Sequence, residues 1–290
     1  MTAPRTVLLT AVAMLAFAAN SLLCRLALGQ ALIDAATFAT VRVISGAAAL
    51  CLIVLLRGRS PNASTANWRS ALMLFTYMVF FAFAYRSLSA GTGALVLFGA
   101  VQLTMFIVAL REGEHFSQAS WAGLAAAILG LIYLVSPGLS APDPLGAVLM
   151  AIAGIAWGFY SLLGRGATDP LEATARNFVY SVPLVVIVSL LFWSQFSSTP
   201  KGLALAVASG AIASGCGYVI WYAALAALSG TRAATVQLTV PVIAAFGGVL
   251  LLSEQITLRL LIASVATLGG VAIVVAQRVA KAARPGPQRE

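Results

Sequence analysis

Carboxylates are scarce in this chain, and those present stand in the wrong places for chemistry inside a membrane. The 290 residues hold eight, Asp34, Glu112, Glu114, Asp143, Asp169, Glu172, Glu254 and Glu290, each between the long apolar runs, at their ends or in the tail. An intramembrane aspartyl protease is therefore excluded. Proton-coupled drug antiporters usually protonate a carboxylate whose pKa is raised by desolvation in the bilayer. Exporters of lipophilic cations need the same group as a counter-ion, so both classes drop in rank. The single histidine, His115, sits in a loop beside Glu112 and Glu114. It cannot build a Ser–His dyad at membrane depth, and a metal site needs several ligands converging, so that loop reads as a solvated turn. Cys24, Cys51 and Cys216 all fall within apolar runs, where free cysteine is small hydrophobic filler rather than a disulfide framework. The inventory is not that of an enzyme, and it implies neither cofactor nor metal.

Apolar residues are what the chain has in excess. They make up 61% of it, against 9% charged, with a mean hydropathy of +0.99. A soluble domain of this composition would aggregate through its surface. The sequence is that of an integral membrane protein whose constant partner is the lipid bilayer. The net charge of +9 invites a nucleic-acid reading, but a nucleic-acid groove clusters Lys and Arg with exposed aromatics, and here the basic residues are spread through short loops. Apolar runs of bilayer-spanning length, bounded by charge or by Pro and Gly, predict ten helices over 6–28, 35–56, 69–89, 92–110, 118–136, 144–164, 172–193, 202–223, 231–252 and 258–277. Residues 58–67 form a Ser/Asn-rich loop, and the tail beyond Gln277 is basic, contains proline and is expected to be disordered.

Shifted by 140 residues, the sequence aligns with itself. FAANSLLCRLA (17–27) meets WGFYSLLGRGA (157–167), Leu88-Ser89 meets Leu228-Ser229, and Glu114 meets Glu254, with no insertion between these anchors. Two units follow, 1–140 and 141–280, trailed by a basic cytoplasmic tail, 281–290. Arg5, the apolar run after it and Ala16-Phe17-Ala18 resemble a signal peptide, but the internal counterpart at 157–167 argues for a retained first helix. Five helices per unit is an odd number, so the second unit enters the bilayer upside down relative to the first. Inverted-topology repeats are the architecture of secondary transporters, with the ligand site near the midplane between them. Ten spans put both termini on one side. If that side is inside, the inner loops carry Arg5, Arg57, Arg59, Arg69, Arg111, Arg165, Arg232, Arg278, Lys281, Arg284 and Arg289, while the outer loops and helix ends carry only Arg25, Arg86, Lys201 and Arg259. The excess of inner Lys and Arg places both termini in the cytoplasm.

A polar group inside an apolar helix needs a partner, a cavity or a substrate. The candidate substrate contacts are Phe17, Asn20 and Ser21 in the first span; Tyr77 and Phe81, with Phe80 between them, in the third; and Gln102, with Thr104, in the fourth. The sixth offers Trp157, Tyr160 and Ser161, the eighth Tyr218, Trp221 and Tyr222, and the ninth Gln237 with Thr239. Tyr218 stands three and four residues from Trp221 and Tyr222, so the three share a helix face. A lone aromatic serves packing or the interfacial belt as readily as a site. A cluster with scattered amides and hydroxyls suits a planar apolar solute with a polar head. Pro241 should free the Gln237 carbonyl and break the ninth span, while Gly215 and Gly217 loosen the eighth beside Tyr218. Val101 stands where the repeat calls for a partner to Pro241. Arg42 and Arg176 fall one to two turns inside the second and seventh spans, within reach of snorkelling to the interface. Their alternative is a gating or substrate-carboxylate role. Glu114 and Glu254 are expected to cap or pin helices. Ala126 and Gly130 match Ala266 and Gly270, a small-residue spacing that lets the fifth and tenth spans approach closely as scaffold.

On these residues the chain resembles the drug/metabolite transporter superfamily, in the branch built from two EamA-type repeats. The resemblance rests on FAANSLLCRLAL (17–28), Arg42 within TVRVISGAAA, the LSAGTGAL and LSGTRAAT turns, Pro241, Glu114 and Glu254. The family's Trp-Gly-x-Asn pattern in the first helix is split here, Asn20 remaining in one copy and Trp157-Gly158 in the other. The aromatic-rich helices look most like the YddG-type exporters of aromatic amino acids. What the resemblance implies is an all-α integral membrane protein: ten helices, as two inverted five-helix repeats, around a central cavity lined by the first, third, fourth, sixth, eighth and ninth spans. A monomer suffices for this. The implied activity is alternating-access export of small metabolites across a bacterial inner membrane, amino acids with aromatic side chains favoured, and facilitative because no buried carboxylate is present to couple protons. The same superfamily offers export of drug cations or of nucleotide-sugars as alternatives. The latter would call for several Lys or Arg at cavity depth, where only Arg42 and Arg176 come close. A membrane scaffold subunit without transport is the alternative of another class, and it has no need of aligned polar residues.

Overall fold

Most of the helices begin on a side chain that takes the place of a missing turn. The first N–H groups of a helix have no partner within it, and here Asp34 accepts from Thr37, Ser89 from Thr92, Ser117 from Ser120, Asp143 from Gly146, Asp169 from Leu171 and Glu172, Thr199 from Gly202 and Thr257 from Leu260. Three of the scarce carboxylates are thus spent at helix starts. Ser117 and Thr257 stand 140 residues apart, so the repeat extends to its caps.

In the computed structural model, residues 3–58, 67–138, 140–164, 167–228 and 230–282 are described, the side chains of 3, 230–232, 234 and 278–282 aside. Most of the Ser/Asn-rich loop, Arg59, Arg165, Ser229 and the tail past Ala282 lie outside these residues. The helices are α1 (Ala3–Gly29), α2 (Ala35–Leu56), α3 (Trp68–Ala84), α4 (Ala90–Arg111), α5 (Gln118–Val135), α6 (Pro144–Leu163) and α7 (Pro170–Leu191), followed by α8 (Pro200–Leu225), α9 in two pieces (Gly230–Gln237 and Thr239–Leu252) and α10 (Leu258–Ala282). Among the described residues, nine helices are long and apolar enough to cross a membrane, and α3 is apolar but shorter, at 17 residues. No strand is formed there beyond a single antiparallel bridge between Ile33 and Ser198. The outward side chains are those of a protein bathed in hydrocarbon, with Leu56, Leu129, Leu190, Leu191, Leu250 and Val265 all exposed.

Two helices depart from regular α geometry. The run ASGAIASGC (Ala208–Cys216) in the middle of α8 widens into a π-helix, just before Tyr218. Its small residues let α8 lie hard against α2: a side chain at Gly210 would collide with the Arg42 carbonyl and the Ser45 hydroxyl. The ninth helix is interrupted at Leu238, three residues before Pro241 and next to Gln237.

One end of the molecule is stitched shut. Arg25, near the end of α1, pairs with Glu254 at 3.0 Å and donates to the carbonyls of Tyr85 and Arg86 after α3, while Glu254 accepts the N–H of Ala90 at the start of α4 at 2.9 Å. Ser253 makes this possible: its left-handed backbone (φ 55) closes α9 and turns Glu254 back over Gly248, where a side chain would obstruct the carboxylate. At the same end Asp34 accepts from Ser197 and Thr199 donates to Leu32, Ser87 donates to Asp143, and Arg259 of α10 donates to Ser136 beyond α5. The C-terminal ends of α1, α3, α5, α7 and α9 therefore meet the N-terminal ends of α2, α4, α6, α8 and α10.

Helix packing follows an exchange pattern. α6 packs on α3 and α4, and α1 packs on α8 and α9; α2 meets α7 and α5 meets α10. The α5–α10 crossing is also close, since a side chain at Gly123 would strike the Gly270 carbonyl and one at Gly270 would strike that of Gly123, with Thr267 donating to the Ala127 carbonyl.

Candidate functional site

The end opposite the stitched face opens into a cavity of about 1010 Å³. Its lining reaches Arg57, Gly164, Asp169 and Ala226, the ends of α2, α6 and α8 and the start of α7, and descends to Phe17, Trp157, Tyr218 and Trp221. Trp157 stacks on Tyr218 with ring centroids 5.5 Å apart, and Phe17 meets Tyr218 and Trp221 edge-on at 5.9 and 5.8 Å. Offset and edge-on pairs are the favoured aromatic arrangements, so these rings form one rigid apolar floor. Polar groups enter it from the sides. The Tyr222 hydroxyl lies 2.9 Å from Thr174 Oγ1, which also accepts from Tyr160 at 3.4 Å, and Gln102, Ser161, Asn177 and Gln237 complete the rim.

Below this floor a second, small cavity of about 30 Å³ lies among Asn20, Tyr77, Leu97, Phe98 and Ser214, with Phe17, Trp157, Tyr218 and Gln237 shared between the two. Asn20 is held from both sides, donating to the Tyr77 hydroxyl at 3.4 Å and accepting from Ser209 at 2.6 Å. From here the rings continue toward the stitched face: Trp157 to Tyr77 at 4.8 Å, Tyr77 to Phe81 at 5.3 Å and Phe81 to Tyr85 at 4.7 Å. A column of aromatics thus fills the molecule between the open cavity and the Arg25–Glu254 pair.

Of the residues singled out from sequence, Phe17, Gln102, Trp157, Tyr160, Ser161, Tyr218, Trp221, Tyr222 and Gln237 line the large cavity, and Asn20 and Tyr77 the small one. Ser21, Phe81, Arg42 and Pro241 line neither. Ser21 is buried against the Tyr85 hydroxyl and Phe81 is wedged in the ring column. The expected lining by six helices needs correction. Leu124 and Ala127 of α5, Thr174 and Asn177 of α7 and Val271, Val274 and Val275 of α10 also border the cavity, because it is wide at its mouth. The fifth and tenth helices are thus more than scaffold, and of these two cavities α3 reaches only the small one. Thr174 and Asn177 of α7 are not among the candidates read from sequence. Their shared face, at a spacing of three, was the available hint. Arg42 does not snorkel: it is fully buried, turned inward over the rings of Tyr77 and Phe81. Arg176 pairs instead with Glu172, one turn before it.

A sequence model described as the EamA-like transporter family matches this chain twice, over residues 4–136 and 144–276. The chain belongs to that family. EamA members are transporters, so the cavity sits in a protein of transport rather than of catalysis. An uncharacterized protein of Pseudomonas aeruginosa is 48% identical over 282 residues, covering 97% of this chain and 98% of its own. The uncharacterized inner membrane transporter YedA of Escherichia coli K12 is 25% identical over 170 residues, 56% of this chain and 55% of its own. A solved crystal structure shares the fold with a TM-score of 0.68 at 19% identity, over 94% of this chain and 98% of its own. Within this EamA chain, the first matched segment supplies Phe17 of the aromatic floor and the second supplies Trp157, Tyr218 and Trp221.

Proposed function

We propose that this EamA transporter exports a small metabolite, most favourably an amino acid with an aromatic side chain, by alternating access of two inverted five-helix repeats in a bacterial inner membrane. The observation that carries the reading is the aromatic floor of Phe17, Trp157, Tyr218 and Trp221, ringed by hydroxyls and amides and closed on one side only. Its volume, about 1010 Å³, is at the upper end of ordinary ligand sites. Inversion is supported by the meeting of odd-numbered helix ends with even-numbered helix starts at the stitched face: α1 runs toward that face and α6, its counterpart 140 residues on, runs away from it. With α3 counted as a tenth, shorter crossing and the termini in the cytoplasm, the cavity is open to the cytoplasm and the Arg25–Glu254 face is the outer one. The inner-membrane name of a relative supports the location.

Among the described lining residues the charged groups are Arg57 and Asp169, both at the mouth. A buried carboxylate for proton coupling or a drug cation has no place on that floor, nor does a set of cations for a sugar nucleotide. Passage is therefore down the substrate gradient. Flux of labelled phenylalanine from loaded proteoliposomes, with and without an imposed pH gradient, tests this: equal rates are expected, and accumulation against the amino-acid gradient would refute facilitation. A scaffold without transport would leave the liposomes sealed.

A further inference from the structure

Arg42 is the largest fully buried side chain among the described residues, and it is only partly satisfied. Its Nη2 donates to the Tyr77 hydroxyl at 3.1 Å and to Ser214 at 3.4 Å, and its guanidinium lies 5.3 and 4.9 Å from the ring centres of Tyr77 and Phe81. Nε and Nη1 have no hydrogen-bond partner, and among the described residues no carboxylate lies within ion-pair distance. A buried cation with free donors and no counter-charge is costly, and ring faces offset only part of that cost. The repeat does not require the charge, because the equivalent position 140 residues on is Val182. Its place in the path is specific. Both of its hydroxyl partners, Tyr77 and Ser214, line the small cavity beneath the aromatic floor, so Arg42 stands one side chain beyond the open cavity, between it and the stitched face.

We propose that Arg42 is the receptor for a carboxylate on the transported solute. The unpaired Nη1, together with the Nη2 that Tyr77 gives up, engages it once Tyr77 and Phe81 withdraw and the path opens past the floor. A carboxylate accepts bidentate bonds from guanidinium in a geometry no neutral group matches. The proposal rests on the transport reading above and narrows it: the solute enters the sealed half carboxylate first, and amines without an acid group are refused.

The test is calorimetric titration of the purified protein in detergent with three ligands of one shape. L-phenylalanine carries both groups, 3-phenylpropionate lacks the amine and phenethylamine lacks the carboxylate. Phenylalanine and phenylpropionate are expected to bind about 10- to 100-fold more tightly than phenethylamine, the range for hydrogen bonds to a charged group. Arg42→Gln should abolish this preference, while Arg42→Lys, which keeps the charge should the glutamine variant fail to fold, should keep the order at lower affinity. Binding of phenylpropionate without phenylalanine would uphold Arg42 and overturn the amino-acid reading. Phenethylamine binding as tightly as phenylalanine, or an undiminished preference in Arg42→Gln, would overturn the role of Arg42 and leave amino-acid transport standing. Failure of all three ligands to bind the wild type would overturn both.

Discussion

Trp157 is the residue on which the two cavities turn. It stacks on Tyr218 in the floor, meets Tyr160 at the side and Tyr77 beneath, so its indole belongs to both spaces at once. Aromatic pairs of this kind contribute about 0.5–1.5 kcal/mol each beyond the area they bury. Trp157→Ala should accordingly weaken phenylalanine binding by at least about tenfold, and Trp157→Phe by only a few-fold, as read by titration. An alanine variant binding as well as the wild type would remove the floor from the site. Much of this list could be read from sequence, because the bilayer makes every buried hydroxyl or amide expensive and so conspicuous. What could not be read was direction. Ser21 and Ser161 are repeat equivalents with the same side chain, yet Ser21 is buried beside Tyr85 and Ser161 bonds back to the Trp157 carbonyl at the cavity rim. Arg42 misled for the same reason. Its depth of under two turns allowed snorkelling, and only the neighbouring rings of α3 decide that it turns inward.

At the scale of helices, the legible features were those set by local chemistry and the illegible ones those set by contact. Polar caps such as Ser117 and Asp143 and the break before Pro241 follow from the backbone's own needs. The π-helical stretch Ala208–Cys216 needs α2 pressed against Gly210, which no periodicity records. The Arg25–Glu254 pair is another product of contact, 229 residues apart in sequence and joining α1, α3, α4 and α9. Partly exposed pairs contribute about 1 kcal/mol or less alone, but this one also holds two carbonyls and a helix start. Glu254→Gln should raise the population with that face open by roughly fivefold, the equivalent of about 1 kcal/mol, and Arg25→Gln by more, since it loses the carbonyls as well. Cys24, fully buried beside Arg25, reports on this. With Cys51 and Cys216 replaced by alanine, its labelling by a membrane-impermeant maleimide from outside should quicken in both variants, and an unchanged rate would mean the pair holds nothing shut.

At the scale of the whole molecule, the two halves exchange packing partners. Because α6 sits on α3 and α4 as α1 sits on α8 and α9, each first helix is carried by the other half, and under the proposed alternating access rocking one bundle would close one face as it opens the other. The bridge between Ile33 and Ser198 ties the α1–α2 loop to the α7–α8 loop, one from each half. An antiparallel bridge sets Cα atoms about 4.5–5.5 Å apart, within the roughly 4.4–6.8 Å that a disulfide needs. Ile33→Cys combined with Ser198→Cys, in a chain whose native cysteines are replaced by alanine, should therefore crosslink on mild oxidation without strain and fix that face closed. Phenylalanine binding from the open side should survive, since the cavity is untouched, while flux through proteoliposomes should stop and return when the bond is reduced. Each single cysteine should transport under oxidation as it does under reduction. Undiminished flux in the crosslinked protein would show that solute crosses without separating these loops, and the rocking of one half against the other would have to be abandoned.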